Sequence, residues 1–405
     1  MEKRLKVVWL CHFSNNEFEK RLKPIKHIGE FAPWIPMAID TVREEKNIEL
    51  HVISAHPYIN GIKKFDIEGV HYYFYNPYIP YLGLSWPSFF RWDYISNFSR
   101  IKRIVGRLVD NIKPDIVHLF GAENHDYSPA ILPIVSKYPV ILTVQGFCSH
   151  TVQIKNWVQR KRCEFEQEIL KKIRVVFYER KQQRADILKF NPDAITFWHT
   201  FASYEIKNPP QIVASPKYDI SFWGRVDKDK GIVDLIDCLK ILKDKYNVQY
   251  KLNVMGGLQD DEYPKYAESL GVESQINWAG FLPTRMDVFQ QAVNSRLTVL
   301  PTYHDVMPGT IMESMFLKVP VISYATDSIP EINEDGEAIC LVKRGDKHAL
   351  AEAIYSLLNN RSKCNEYSEK AYKRAYEMFA PSNECLNKHL LGGYKAAVEF
   401  FKTQS

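Results

Sequence analysis

Short apolar or β-branched runs alternate along this chain with longer helix-like segments. In the first half the runs are KVVWLCH (6–12), IELHVISAH (48–56), DIVHLFG (115–121), PVILTVQG (139–146), RVVFYE (174–179) and AITFWH (194–199). PWIPMAIDTVREEK and SRIKRIVGRLVDNIK lie between them and read as helices. Continuous apolar strands separated by helices predict a parallel sheet buried on both faces. The rhythm breaks at EIKNPPQIVASPKYD (205–219), which is rich in Pro, Ser and Lys and reads as a linker. It then restarts with DISFWG, YKLNVMG, INWAG, LTVLP, VPVISY and AICLV, with helices such as GIVDLIDCLKILKDK and HALAEAIYSLLNN between them. The expectation is α/β: two doubly wound Rossmann-like domains, 1–208 and 209–383. NECLNKHLLGGYKAAVEFFKTQ adds a last helix, and 384–405 is expected to pack back on the first domain.

Composition narrows the class without naming a function. The chain has 405 residues, 45% hydrophobic and 25% charged, values of a globular protein large enough for two cores. A formal charge of +5 is too weak to argue for nucleic acid, and no nucleic-acid motif accompanies it. The seven cysteines (Cys11, Cys148, Cys163, Cys238, Cys340, Cys364, Cys385) are scattered and odd in number. That pattern fits buried thiols rather than a disulfide framework or a zinc site. MEKRLKVVWLCHFSNN reads as a first strand rather than a signal peptide, and no apolar run is long enough to cross a bilayer. The expected location is the cytoplasm, at the inner face of the cell membrane if it touches one.

The chemistry gathers in two loops of the second half. In PTYHDVMPGTIMESMFLKVPVISY (301–324) a strand leads through Pro308-Gly309 into a helix. Thr310 and Glu313 match a capping box, a hydroxyl residue followed three places later by Glu. A strand–loop–helix junction at the carboxyl end of a sheet aims free N–H groups and a positive helix end at an anion. Carboxylates beside it, Asp305 and Glu313, suit sugar hydroxyls better than phosphate. In DISFWGRVDKDKGIVDLIDCLKIL, Gly224 permits a tight turn, and Arg225 and Lys230 can neutralise a diphosphate. Asp227-Lys228-Asp229 also reads as a D-x-D metal motif, but amid these cations the acids read better as ion-pair partners.

With these residues in hand, the second domain resembles the retaining nucleotide-sugar glycosyltransferases of family 4, which have the GT-B fold. The motifs fall in order: GRVDKDKG (224–231), LNVMGG (252–257), INWAGFLP (276–283), Asp305 and Glu313 eight positions apart, KVPVIS, IPEI, and the tail GEAICLVKRGDKHALAEAIYSLL. The resemblance implies two domains facing across a cleft. It implies that Arg225 and Lys230 neutralise the donor diphosphate, Glu313 holds the nucleotide ribose and Asp305 the transferred sugar. Backbone groups of Met307, Pro308, Gly309 and Thr310 would cradle phosphate or sugar. Gly280, Phe281 and Leu282 would line the base pocket, with Gly224 and Gly256 also on the donor side. Two positions depart from the family: Asp305 stands where Glu is usual, and Thr326-Asp327-Ser328 where a Gly-Gly pair is common.

The first domain carries a weaker resemblance. HIGEFAPWIPMAIDTVREE looks like the loop and helix facing the acceptor, with Gly29 a place of close backbone approach. PDIVHLFGAENHDYSPAIL (114–132) offers His118 and His125 for the histidine that the family places near the reacting sugar. His125, in the loop, is preferred over His118, within the strand.

The reaction implied moves a sugar from a nucleotide-sugar to a saccharide or lipid-linked saccharide, in surface polysaccharide synthesis. The cations replace a metal, so neither metal nor cofactor is expected. Three other readings use the same residues: a hydrolase with Asp305 and Glu313 as acid and base, a catalytically inactive GT-B-like binding subunit, and a nucleotide-sugar epimerase. The stretches 71–108 and 155–184, aromatic and basic, suit peripheral contact with a membrane, a polyanionic acceptor or sugar stacking.

Overall fold

The structure, a computed structural model, describes residues 4–29, 31, 32, 34–43, 45–79, 87, 89–148, 156–199, 206, 208–258, 260–305, 307–380 and 384–404. The chain divides into two compact units, Met1–Ser203 with Pro381–Ser405, and Tyr204–Ala380.

The first unit holds strands β1 (Leu5–Cys11), β2 (Ile48–Ala55), β3 (Ile62–Ile67), β4 (Val70–Tyr75), β5 (Ile116–Phe120), β6 (Val140–Thr143), β7 (Val175–Tyr178) and β8 (Ile195–Trp198). They form one sheet in the order β3-β4-β2-β1-β5-β6-β7-β8, parallel except for β3. Side chains alternate across it, so each face has its own core. Val8, Leu10 and Ile53 pack with the helix Ser99–Ile112 on one face, and Val7, Trp9 and Leu50 with the helix Trp34–Arg43 on the other. The final helix, Glu384–Gln404, lies on the second face, where Leu390, Tyr394 and Ala397 are buried. Trp9 Nε1 donates to Tyr394 Oη at 2.9 Å.

The β3–β4 hairpin is absent from the sequence reading, which grouped the HYYFY stretch with the aromatic and basic run 71–108. Glu68 and Gly69 both have positive φ (49° and 82°), as a two-residue hairpin turn requires. The strand that follows buries Phe74 and Tyr75 completely, so these rings are core. β3 carries Lys63, Lys64 and Asp66 along the open sheet edge, a charge pattern that discourages further strand pairing.

The second unit holds β9 (Tyr218–Trp223), β10 (Leu252–Met255), β11 (Ile276–Gly280), β12 (Ser295–Leu300), β13 (Val321–Tyr324) and β14 (Cys340–Val342). All are parallel, in the order β11-β10-β9-β12-β13-β14. Numbered from one within the unit, this is the 3-2-1-4-5-6 order of a dinucleotide-binding sheet. Its connections reverse direction between β9 and β12, and the loops after those two strands border the crevice where such sheets take ligands.

Candidate functional site

Both loops singled out in the sequence leave the carboxyl ends of β9 and β12. After β9, Gly224 takes a φ of 132° and turns the chain away from the sheet. Asp227 caps the short turn Lys228–Lys230, its side chain accepting from Lys230 N at 2.9 Å. Gly231 packs so tightly on the β12 loop that an added Cβ would stand 2.1 Å from the Pro301 carbonyl oxygen. Tyr303 N donates to Asp229 O at 2.7 Å and sews the two loops together. Gly256, at the end of β10, approaches the Gly224 carbonyl as closely, at 2.1 Å from a built Cβ. These glycines are demanded by backbone contact between strand ends, whatever else the site does.

A cavity of about 490 Å³ opens there. Gly224, Arg225, Gly256, Phe281, Leu282, Gly309, Thr310 and Glu313 line it, all expected from the sequence, together with Arg285. Arg225 is 73% exposed and 3.4 Å from Asp227, so its guanidinium has room to turn. Phe281 presents its ring to solvent at 83% exposure, while Leu282 is half-buried. Gly280 ends β11 and accepts from Gly256 N at 2.9 Å. The helix Gly309–Phe316 begins at the cavity, with Pro308 as its N-cap and Met307 half-buried just before it.

Two features differ from the sequence reading. The capping box does not form: Thr310 Oγ1 donates instead to the Trp223 carbonyl at 2.8 Å, tying this helix to the end of β9. Glu313, one turn on, is buried and ion-paired with Arg285. Arg285 was not singled out. It lies in a separate loop, at the start of the helix Arg285–Ala292, whose own capping box (Thr284, Asp287) was its only local signal.

Lys230 and Asp305 are brought together, although neither lines the cavity. They form an ion pair with both side chains 17% exposed. Asp305 N donates to Asp327 Oδ2 at 2.8 Å, so Asp327 braces the loop that carries Asp305.

In the first unit, the order of connections reverses between β1 and β5. His118 lies within β5 and is wholly buried. Its Nδ1 is 3.0 Å from Tyr394 Oη and its Nε2 2.7 Å from Thr143 Oγ1, with Phe120 stacked on the ring. Burial holds it neutral, well below the usual histidine range. His118 is thus a satisfied core group, unlike His125 in the loop.

His125 stands in the loop after β5, one-third exposed. Its Nε2 is 3.3 Å from Asp126 Oδ1 and from Tyr78 Oη, and Tyr78 donates to the same carboxylate. His125 also borders a cavity of about 240 Å³ with Tyr78, Trp92, Asp93, Arg100 and Arg103. Gly29 is exposed with φ 75° and open space around it. Its loop is pinned on both sides: His27 Nδ1 lies 2.7 Å from the buried Glu19, and Phe31 bridges Ser14. The two histidines should respond differently to removal. His118→Ala is expected to lower stability by about 2–4 kcal/mol, and His125→Ala by under about 1 kcal/mol, in urea unfolding. Equal losses would contradict this division.

Residues 205–374 match the family model of glycosyl transferases group 1. The capsular polysaccharide biosynthesis glycosyltransferase CapM of Staphylococcus aureus is 30% identical over 162 residues, 40% of this chain and 42% of that protein. The poly(glycerol-phosphate) alpha-glucosyltransferase of Bacillus subtilis is 23% identical over 279 residues, 68% of this chain and 39% of its own length. In both, the matched part is less than half of the relative. Among solved structures, sucrose-phosphate synthase from Thermosynechococcus elongatus aligns with a TM-score of 0.69 at 13% identity, covering 97% of this chain and 100% of that one. Anabaena Alr3699/HepE in complex with UDP and glucose aligns at 0.64 and 14%, with the same coverage. These likenesses show the fold, a GT-B fold built of two Rossmann-like units.

Proposed function

We propose that this chain is a retaining glycosyltransferase that moves a sugar from a nucleotide-sugar to a saccharide or lipid-linked saccharide, in surface polysaccharide synthesis. The observation that carries the proposal is the convergence of Arg225, Glu313 and the start of the helix Gly309–Phe316 on one cavity at the switch point of a dinucleotide-binding sheet. Its 490 Å³ suits a small-molecule ligand. The family match covers this unit, and the CapM relative is named for capsular polysaccharide biosynthesis.

In this reading the buried carboxylate of Glu313 accepts from the ribose hydroxyls, with Arg285 fixing its orientation. Arg225 and the helix N-terminus take up the charge of the diphosphate. Lys230 shares its charge between Asp305 and the leaving phosphate, and Asp305 accepts from the transferred sugar. The anomeric C–O bond to phosphate breaks as the acceptor oxygen bonds to the same face of that carbon. The acceptor's proton passes to the leaving phosphate, so no protein nucleophile is required. The first unit serves the acceptor through Gly29 and His125. The cations supply the charge that a metal would, and Asp227 is already engaged as a cap. Both Asp305 and Glu313 are held by cations, an arrangement for accepting hydrogen bonds rather than for hydrolytic proton transfer. An epimerase would use the same donor site, but its turnover would not depend on an acceptor.

Titration with UDP-, GDP- and ADP-sugars in EDTA tests the donor site. One nucleotide is expected to bind, and Arg225→Ala to weaken it roughly tenfold or more. Binding only with a divalent ion would make Asp227 and Asp229 metal ligands. No binding under any condition would favour a non-catalytic subunit.

A membrane contact is part of the proposal. Phe89 (78% exposed), Phe90, Trp92 and Ile95 present apolar side chains to solvent close in sequence to Arg100 and Arg103. Flotation with anionic vesicles at low salt is expected to carry the protein upward, and failure to float would remove this element. No helix among the described residues is long and apolar enough to span a bilayer.

A further inference from the structure

At the amino ends of the first unit's strands, away from the ligand loops, Glu49, His51 and His71 converge on one face of the sheet. Glu49 and His51 are two apart on β2, and His51 is the register partner of His71 on β4. Their donor atoms all lie within 4.8 Å of one another. His51 Nε2 is 2.8 Å from Glu49 Oε1, and the two imidazoles stack with centroids 4.5 Å apart. We propose that this cluster is a divalent transition-metal site that fastens the β3–β4 hairpin to the sheet.

Two imidazoles and a carboxylate form a donor set suited to Zn²⁺, Ni²⁺ or Cu²⁺ rather than to Mg²⁺ or Ca²⁺. The groups behind the ligands are in place as well. His71 Nδ1 is hydrogen-bonded to Asp66 of β3, its antiparallel partner, which leaves Nε2 for a metal. His51 Nδ1 is 3.3 Å from Tyr73 Oη, which leaves its Nε2 beside Glu49. A carboxylate or hydroxyl on the far nitrogen is how proteins orient and polarise a ligating histidine. The histidine χ2 torsion is soft, so a small rotation turns both rings toward a shared ion. One opposing charge is close: Lys6 Nζ is 3.7 Å from Glu49, but it also reaches the Ile112 carbonyl at 3.4 Å and can yield the carboxylate to a metal. Lys64 lies over the Tyr73 ring, and the Arg4 guanidinium is engaged by the Ile48 carbonyl. A metal here would join β2 to β4 directly and β3 through Asp66. It would restrain the one antiparallel strand of the sheet at its open edge.

The full chain, stripped with a chelator and dialysed, is titrated with Zn²⁺ by calorimetry and followed by thermal unfolding. Wild type is expected to bind one Zn²⁺ with micromolar or tighter affinity and to melt higher with the metal. His71→Gln and Glu49→Gln should each weaken binding about tenfold or more and abolish the thermal shift, and Asp66→Asn should weaken it about tenfold. His71 is more than one-third exposed, so its replacement leaves the fold intact, as circular dichroism will show. His348→Gln, an exposed histidine of the other unit, should change nothing. Binding weaker than millimolar in wild type, or undiminished in His71→Gln, would overturn the proposal.

Discussion

Glu313→Gln is expected to weaken nucleotide binding about ten- to a hundredfold while leaving the fold almost as stable as before. A hydrogen bond to a charged acceptor contributes about 1.5–3 kcal/mol, which is that range of affinity. The side chain is 5% exposed and its charge faces Arg285, so the amide loses both the acceptor strength and the partner that aims it. Breaking a fully buried ion pair would cost far more stability, about 3–5 kcal/mol, because the remaining charge is stranded. Arg285 is 45% exposed and can turn to water, so the stability cost should be small. Calorimetric titration beside a thermal melt separates the two effects. Unchanged affinity would remove Glu313 from the donor site. A large fall in melting temperature would show that the pair is structural.

The second large effect is on stability against acid. His118 and His199 are buried in the first unit and His12 is largely covered, and desolvation holds all three below the ordinary histidine range. His199 falls to about 3, and His12 to about 4 against the pull of Asp126. Unfolded, each titrates near 6.5. Below that pH the unfolded chain takes up protons that the folded unit refuses, so stability is present above about 6.5 and lost as pH falls toward 4. Glu123 acts in the opposite sense. Burial raises its carboxyl to about 7, so the folded state binds this proton more readily and gains as pH falls from 7 toward 4.5. His51 is lowered as well, and the Glu19 and Glu49 carboxyls lie below their usual range, so Glu123 is outweighed and the first unit loses stability as pH falls. The second unit's histidines, His304 and His348, are exposed. Hydrogen exchange at pH 7 and pH 5 should therefore show the first unit losing protection ahead of the second. Equal loss in both would contradict the account.

The α/β layout was legible because parallel strands covered on both faces must be apolar at nearly every position, as in KVVWLCH and LTVLP. The β3–β4 hairpin was not, because β3 is an edge strand with lysines on it, and β4 is built largely of tyrosines with one histidine, residues that serve a wet surface as well as a core. At the cavity, Arg225, Thr310 and Glu313 could be read as neighbours because each lies at a strand–helix turn. Arg285 could not, since its pairing with Glu313 depends on where β11 ends and not on any local pattern. The same limit explains Thr310: its hydroxyl had a local partner in the sequence pattern and a nearer one, the Trp223 carbonyl, in space. His118 was ambiguous for a different reason. A histidine in a strand looks alike whether it faces a ligand or a tyrosine from 276 residues further along.

That tyrosine has a consequence for synthesis. Tyr394 receives the Trp9 N–H and lies beside His118, so the core of the first unit is completed by a helix that leaves the ribosome after the whole second unit. The second unit, encoded wholly within 204–380, can close before that helix appears. The unit begun first is completed only after the second has been made, and until then Trp9 and His118 wait for their contact with Tyr394.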